Sequence, residues 1–141
     1  MNEIAKVESL KAELAKRETA METSEGKKEA AQFMLAVFDY LNCSGYKMPD
    51  VDFKKMAYTY AGQLKEYIVT YGYDIVKQAV KEFVCHDTSP YHTMPTAGQL
   101  IKEIEAIGGN PRAEIARIEL EEFIRQDTER VHRELLKGAK K

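Results

Sequence analysis

Wherever apolar residues cluster in this chain they recur at steps of three and four, and that period decides its fold class. Phe53, Met56, Tyr60, Leu64, Tyr67 and Tyr71 follow one another at steps of 3, 4, 4, 3 and 4. Those steps draw a single face of an α-helix, whereas a strand would alternate at every second residue. No apolar cluster shows the period of two. The expected fold is all-α, a small helical bundle with N- and C-terminal helical extensions. At 141 residues, 44% hydrophobic and 31% charged, the chain has material for one compact core.

Punctuation divides the pattern. Residues 3 to 22 are rich in Ala, Glu, Lys and Leu, all good helix formers. Ile4, Val7, Leu10 and Leu14 make only a thin stripe there, which suits a coiled-coil partner or loose docking. Ser24 is the expected cap of the next helix, with Gly26 as a soft joint in its first turn. Ala30, Phe33, Met34, Val37, Phe38 and Leu41 then form a wide apolar face that stops in "NCSGYKMPD". Asp50 or Asp52 can open the following helix and Gly72 can close it. Beyond Asp74, Ile75, Val76, Ala79, Val80, Phe83 and Val84 line another inner face.

Pro90 and Pro95 impose a loop, and Thr96 is a good N-cap. Leu100, Ile101, Ile104 and Ile107 form a short helix closed by Gly108 and Gly109. Asn110 and Pro111 open a final helix that can run to about Leu136, with Ala116, Leu120, Phe123, Ile124, Val131 and Leu135 on one side. The expected divisions are an N-terminal amphipathic helix over 1–23, a bundle core over 24–108, and a long C-terminal helix with a basic end over 109–141.

Little in this pattern is chemical. Glycine-rich phosphate loops, nucleophile elbows and zinc-protease motifs are absent, so an enzyme is not expected. The loop "CHDTSPYH" gathers Cys85, His86, Asp87 and His92, but no second ligand pair accompanies them, and no metal or other cofactor is expected. Two cysteines do not make a disulfide framework. No apolar run nears the roughly 20 residues of a membrane span, and the opening "MNEIAKVESL" has no signal-like apolar region. A cytoplasmic protein without a membrane partner is the expectation.

Five tyrosines fall between Tyr58 and Tyr73. Tyr60, Tyr67 and Tyr71 share the inner face, so their rings belong to the core with hydroxyls at its edge. Tyr58 and Tyr73 fall off that face and are candidate partner contacts. Charge is uneven as well. From Ala97 to Ile124 six acids face three bases, and from Arg125 to Lys141 six bases face three acids. The basic end (Arg125, Arg130, Arg133, Lys137, Lys140 and Lys141) is therefore a weak candidate for nucleic-acid contact. A helix-turn-helix reading of residues 52–85 fits the short turn at Gly72. Its second helix, however, exposes only Lys77, Gln78 and Lys81, with Glu82 against them, which is poor equipment for reading a groove.

The order Met56, Tyr60, Leu64, Tyr67, then "YDIVKQAVKEFV", then a loop, then "MPTAGQLIKEI" resembles the phage replicative-helicase loader/inhibitor family. Tyr60 stands where that family usually carries a tryptophan, and the region from Pro111 reads as a helix where the family has a disordered tail. The resemblance implies a non-enzymatic adaptor that binds a DnaB-type hexameric helicase, as loader or inhibitor; the alternatives are a DNA-binding module that uses the basic end and a different host-targeting inhibitor built on a similar small bundle. Helix-in-groove binding needs anchors along one helical face. Leu120, Phe123, Ile124 and Val131 offer them, as do Val7, Leu10 and Leu14. Stripes of this kind also favour a homo-oligomer, with a two-fold pair as the simplest form.

Overall fold

A computed structural model describes residues 2–139, and six helices account for 82% of them. They are α1 (Glu3–Glu22), α2 (Ser24–Cys43), α3 (Phe53–Tyr71), α4 (Tyr73–His86), α5 (Ala97–Ile107) and α6 (Pro111–Ala139). Among the described residues the only β-type pairing is an isolated bridge, Lys47 to Thr93. The chain is all-α. No described helix is long and apolar enough to cross a membrane.

Two compact units emerge, cut differently from the division that composition suggests. One is Glu13–Asn110; the other joins the residues up to Ala12 with those from Pro111 onward. The boundary falls inside α1, because the second half of that helix packs with the bundle. Met21 sits in the bundle core, and Arg17 donates to the carbonyls of Val69 and Thr70 at 3.2 and 3.3 Å. Those carbonyls end α3 and lack helical donors, so a guanidinium there satisfies them and meets the negative end of the helix dipole.

The bundle core is built on α2, α3, α4 and α5. Met34, Leu41, Leu64, Val76, Leu100 and Ile104 are its largest fully enclosed helical side chains. Burying each contributes about 1.5–3 kcal/mol relative to exposure. On α3 the buried line is Ala57, Ala61, Leu64 and Ile68, not the tyrosine row that the spacing suggests. Small alanines there let α2 come close, and Met56, Tyr60, Tyr67 and Tyr71 flank the seam half-buried. Tyr60 packs edge-on against Phe38, ring centres 5.2 Å apart, and its hydroxyl donates to the Pro95 carbonyl at 2.9 Å. Phe53, the first residue of α3, is exposed.

The helix starts follow side-chain chemistry. Thr23, not Ser24, caps α2: its hydroxyl accepts from the Gly26 N–H at 2.9 Å and donates to the Ala20 carbonyl at 2.6 Å. Gly26 is no soft joint. It is buried where α2 passes the end of α1, and a Cβ there would lie 2.7 Å from the Ala20 carbonyl carbon and closer still to its oxygen. Asp52 caps α3 through the N–H groups of Lys54 and Lys55. Thr96 opens α5 in a reciprocal capping box with Gln99. At the other end of α5, Gly108 and Gly109 hold φ of 80° and 77°, conformations that cost a side-chain-bearing residue. The helix therefore stops, and Pro111 begins α6 as its first residue.

In the second unit, Lys6 pairs with Glu114 at 3.0 Å and Lys11 with Glu119 at 2.8 Å. Both helices advance by the same number of residues between these pairs, so the start of α1 and the start of α6 run alongside in the same direction. Val7 and Ile118 fall between the pairs and are buried.

Candidate protein-binding surfaces

The far side of α6 is apolar and bare. Leu120, Ile124, Val131 and Leu135 lie within a narrow arc at about 100° per residue, roughly opposite Ile118. Leu120 is 59% exposed and Leu135 68%. Phe123, 66% exposed, borders the arc. The sequence-derived anchors Leu120, Phe123, Ile124 and Val131 are thus all on the surface, while the residue that α6 buries, Ile118, was not among them. Ile118 has one signal in the sequence: it sits a turn from Ile115 on the face that carries Glu114 and Glu122.

The tyrosine candidates separate. Tyr58 is exposed on α3. Tyr73, expected to be exposed, is half-buried, its ring 4.7 Å from that of Phe33. Burial pushes its phenol above the ordinary range.

At the basic end of α6 the arginines are embedded in carboxylates. Arg125 lies between Glu122 and Glu129, and Arg130 between Asp127 and Glu134. These partners raise both guanidinium pKa values, and Arg125 in turn lowers that of Glu122. Exposed pairs of this kind add little stability, but they do cancel charge that a phosphate would otherwise feel. Arg133 and Lys137 are exposed further along the same helix. Lys140 and Lys141, counted in the basic end, lie outside the described residues.

Two clefts of the bundle stand out among the described residues. A shallow one of about 210 Å³ between α2 and α4 has Phe33, Ala36, Val37, Tyr40 and Val80 as floor and walls, with Lys77 and Lys81 at its rim. Sequence reasoning passed it over, although the exposed Lys77 and Lys81 and the breadth of the α2 face both signal it. The larger cleft, about 400 Å³, lies around Arg17, Gly72, Tyr73, Asp74 and Glu29. Arg17 lines it, held by bonds to the end of α3 and an ion pair with Glu13 at 3.3 Å.

The loop with metal-competent residues is organised as a hydrogen-bonded turn. Asp87 accepts from the Tyr46 hydroxyl at 2.7 Å and the Ser89 N–H at 3.0 Å, and lies 3.3 Å from His92 Nδ1. The Tyr46 hydroxyl leads the effects that hold the Asp87 carboxyl below its usual range. His86 pairs with Glu82 instead. Among the described residues, no three His, Cys, Asp or Glu side chains converge as a metal site would require.

The fold and these surfaces define a small all-α protein whose salient exposed feature is an apolar helix face. Compared with known proteins, the sequence matches no family model and no curated protein, and the fold matches no solved structure.

Proposed function

We propose that this chain is an adaptor of a phage or mobile-element DNA-replication system that binds a DnaB-type replicative helicase, as loader or inhibitor. The observation that carries the reading is the bare apolar face of α6. Leu120, Ile124 and Val131, with Phe123 beside them, form a row that inserts into a groove as helix-in-groove ligands do. Tyr58 adds an exposed aromatic on the bundle. The resemblance of residues 56–104 to helicase loader/inhibitor proteins supplies the partner's class.

The test is capture of purified hexameric helicase by the immobilised protein, compared with a variant carrying Leu120→Glu and Ile124→Glu. Retention by the wild type and at least a tenfold loss in the variant supports the reading. Equal retention by both moves the site away from α6, and no retention removes the helicase from the proposal. DNA binding measured across a salt series addresses the alternative use of Arg125, Arg130, Arg133 and Lys137, because phosphate contacts weaken steeply as salt rises.

A further inference from the structure

The apolar face of α6 has a property that a groove-binding helix does not need: it reads the same in both directions. Reversing the helix about a point between Asp127 and Thr128 places Leu120 opposite Leu135 and Ile124 opposite Val131. We propose that α6 pairs with α6 of a second copy, antiparallel, about a two-fold axis at Asp127 and Thr128. The inference rests on the reading of this face as a protein-docking surface, and it names a second copy as the occupant that a helicase groove would displace.

Three features favour a second copy. A two-fold interface must be self-complementary, each residue meeting the equivalent of its own partner, and the spacing of these four residues meets that condition. Charge runs along the helix in the matching sense. From Pro111 to Ile124, α6 carries four acids (Glu114, Glu119, Glu121, Glu122) and two bases, whereas from Arg125 onward its described residues carry four bases (Arg125, Arg130, Arg133, Lys137) and three acids. Antiparallel pairing lays the acidic half on the basic half, with Glu119 beside Lys137 of the second copy and Glu121 beside its His132. Parallel pairing would set like on like.

The third feature is the centre. Asp127 and Thr128 interrupt the apolar row at its midpoint, and a single polar layer in a helical seam fixes register at some cost in stability. At the axis each Asp127 and each Thr128 meets its own equivalent, and Arg130, 2.9 Å from Asp127, offsets the charge of the carboxylate there. Phe123, at the border, then meets the aliphatic stems of Arg130 and Glu134. Start α1 does not compete for this surface, because Lys6, Val7 and Lys11 lie on the Ile118 side of α6.

Sedimentation velocity on the full chain, together with disulfide trapping, tests the pairing. In a Cys43→Ser, Cys85→Ser background, Leu120→Cys protein mixed with Leu135→Cys protein should yield a cross-linked dimer under mild oxidation, and Leu120→Cys alone should not. Ile124→Glu with Val131→Glu, both exposed positions, should keep the helical circular dichroism and shift the dimer-monomer balance at least tenfold toward monomer. A wild-type monomer at 100 µM overturns the proposal, and so does cross-linking by Leu120→Cys alone, the mark of parallel pairing. A dimer that captures no helicase removes the proposed function and leaves the pairing standing. Helicase capture by a monomeric protein does the reverse.

Discussion

Gly26 carries a prediction whose sign runs against the rule for helices. Replacing a glycine inside a helix by alanine ordinarily stabilises by about 0.5–1 kcal/mol, because glycine loses more backbone freedom on folding. At Gly26 the added methyl would press into the Ala20 carbonyl, 2.7 Å from its carbon and 3.1 Å from Met21 Cα. That carbonyl cannot swing aside freely, since it accepts from both the Thr23 N–H and the Thr23 hydroxyl. Two packed backbones must move apart, which costs typically 1–3 kcal/mol, and weakening either Thr23 bond adds about 1 kcal/mol. Gly26→Ala should therefore destabilise the bundle by about 1–3 kcal/mol net.

Gly62 is the control. It lies mid-helix in α3, exposed, with nothing beyond its own stretch of helix backbone within 4 Å of the position a Cβ would take. Gly62→Ala should stabilise by about 0.5–1 kcal/mol. All eight tyrosines lie between Tyr40 and Tyr91, and there is no tryptophan, so intrinsic fluorescence reports the Glu13–Asn110 unit alone. In urea, with a slope of about 1–3 kcal/mol per molar, the two midpoints should move in opposite directions by measurable fractions of a molar. A Gly26→Ala midpoint at or above wild type would refute the close-approach argument.

Arg17→Met should cost about 1–3 kcal/mol, because the α3 carbonyls lose a charged donor while the stem's packing is kept; an unchanged urea midpoint would count against the capping role. Gly72 holds φ at 85° between α3 and α4, so Gly72→Ala should destabilise by about 1–2 kcal/mol even though its Cβ would meet the Arg17 guanidinium only at ordinary contact distance. The last concerns acid. Asp87 has a depressed pKa in the folded chain, so its contribution is fully present above the unfolded value near 4 and fades as pH falls through the folded one. Removing the leading cause by Tyr46→Phe should flatten the stability profile below about pH 4; parallel profiles for variant and wild type would show that the Tyr46 bond does not set it.

How much of this was legible in the sequence depends on which signal each element sends. Helix positions followed from periodicity, and the break at Gly108 and Gly109 from two residues that need no side-chain room at positive φ. The packed face of α3 was harder. Tyr60, Tyr67 and Tyr71 dominate any hydrophobic count, yet Ala57 and Ala61 occupy the seam because a close helix pair rewards small residues over large ones. The unit boundary inside α1 sends no local signal at all, since Arg17 and Val7 belong to one unbroken helix and differ only in what lies across from them. On α6, spacing located the apolar row, but its exposure depends on tertiary neighbours. Ile118 illustrates the converse, a single buried residue whose partner is more than a hundred positions away in sequence.

That separation has a consequence in time. Val7 is synthesised some hundred residues ahead of Ile118, ~5–20 s at roughly 5–20 residues per second. Every buried helical residue of the Glu13–Asn110 unit is available before α6 exists. The bundle can therefore close while Val7, Lys6 and Lys11 still wait for their counterparts. For those seconds Val7 stands without the α6 residues that bury it. Pairing Lys6 with Glu114 and Lys11 with Glu119 must wait until translation has passed α5, which makes it a molecular sign of that passage.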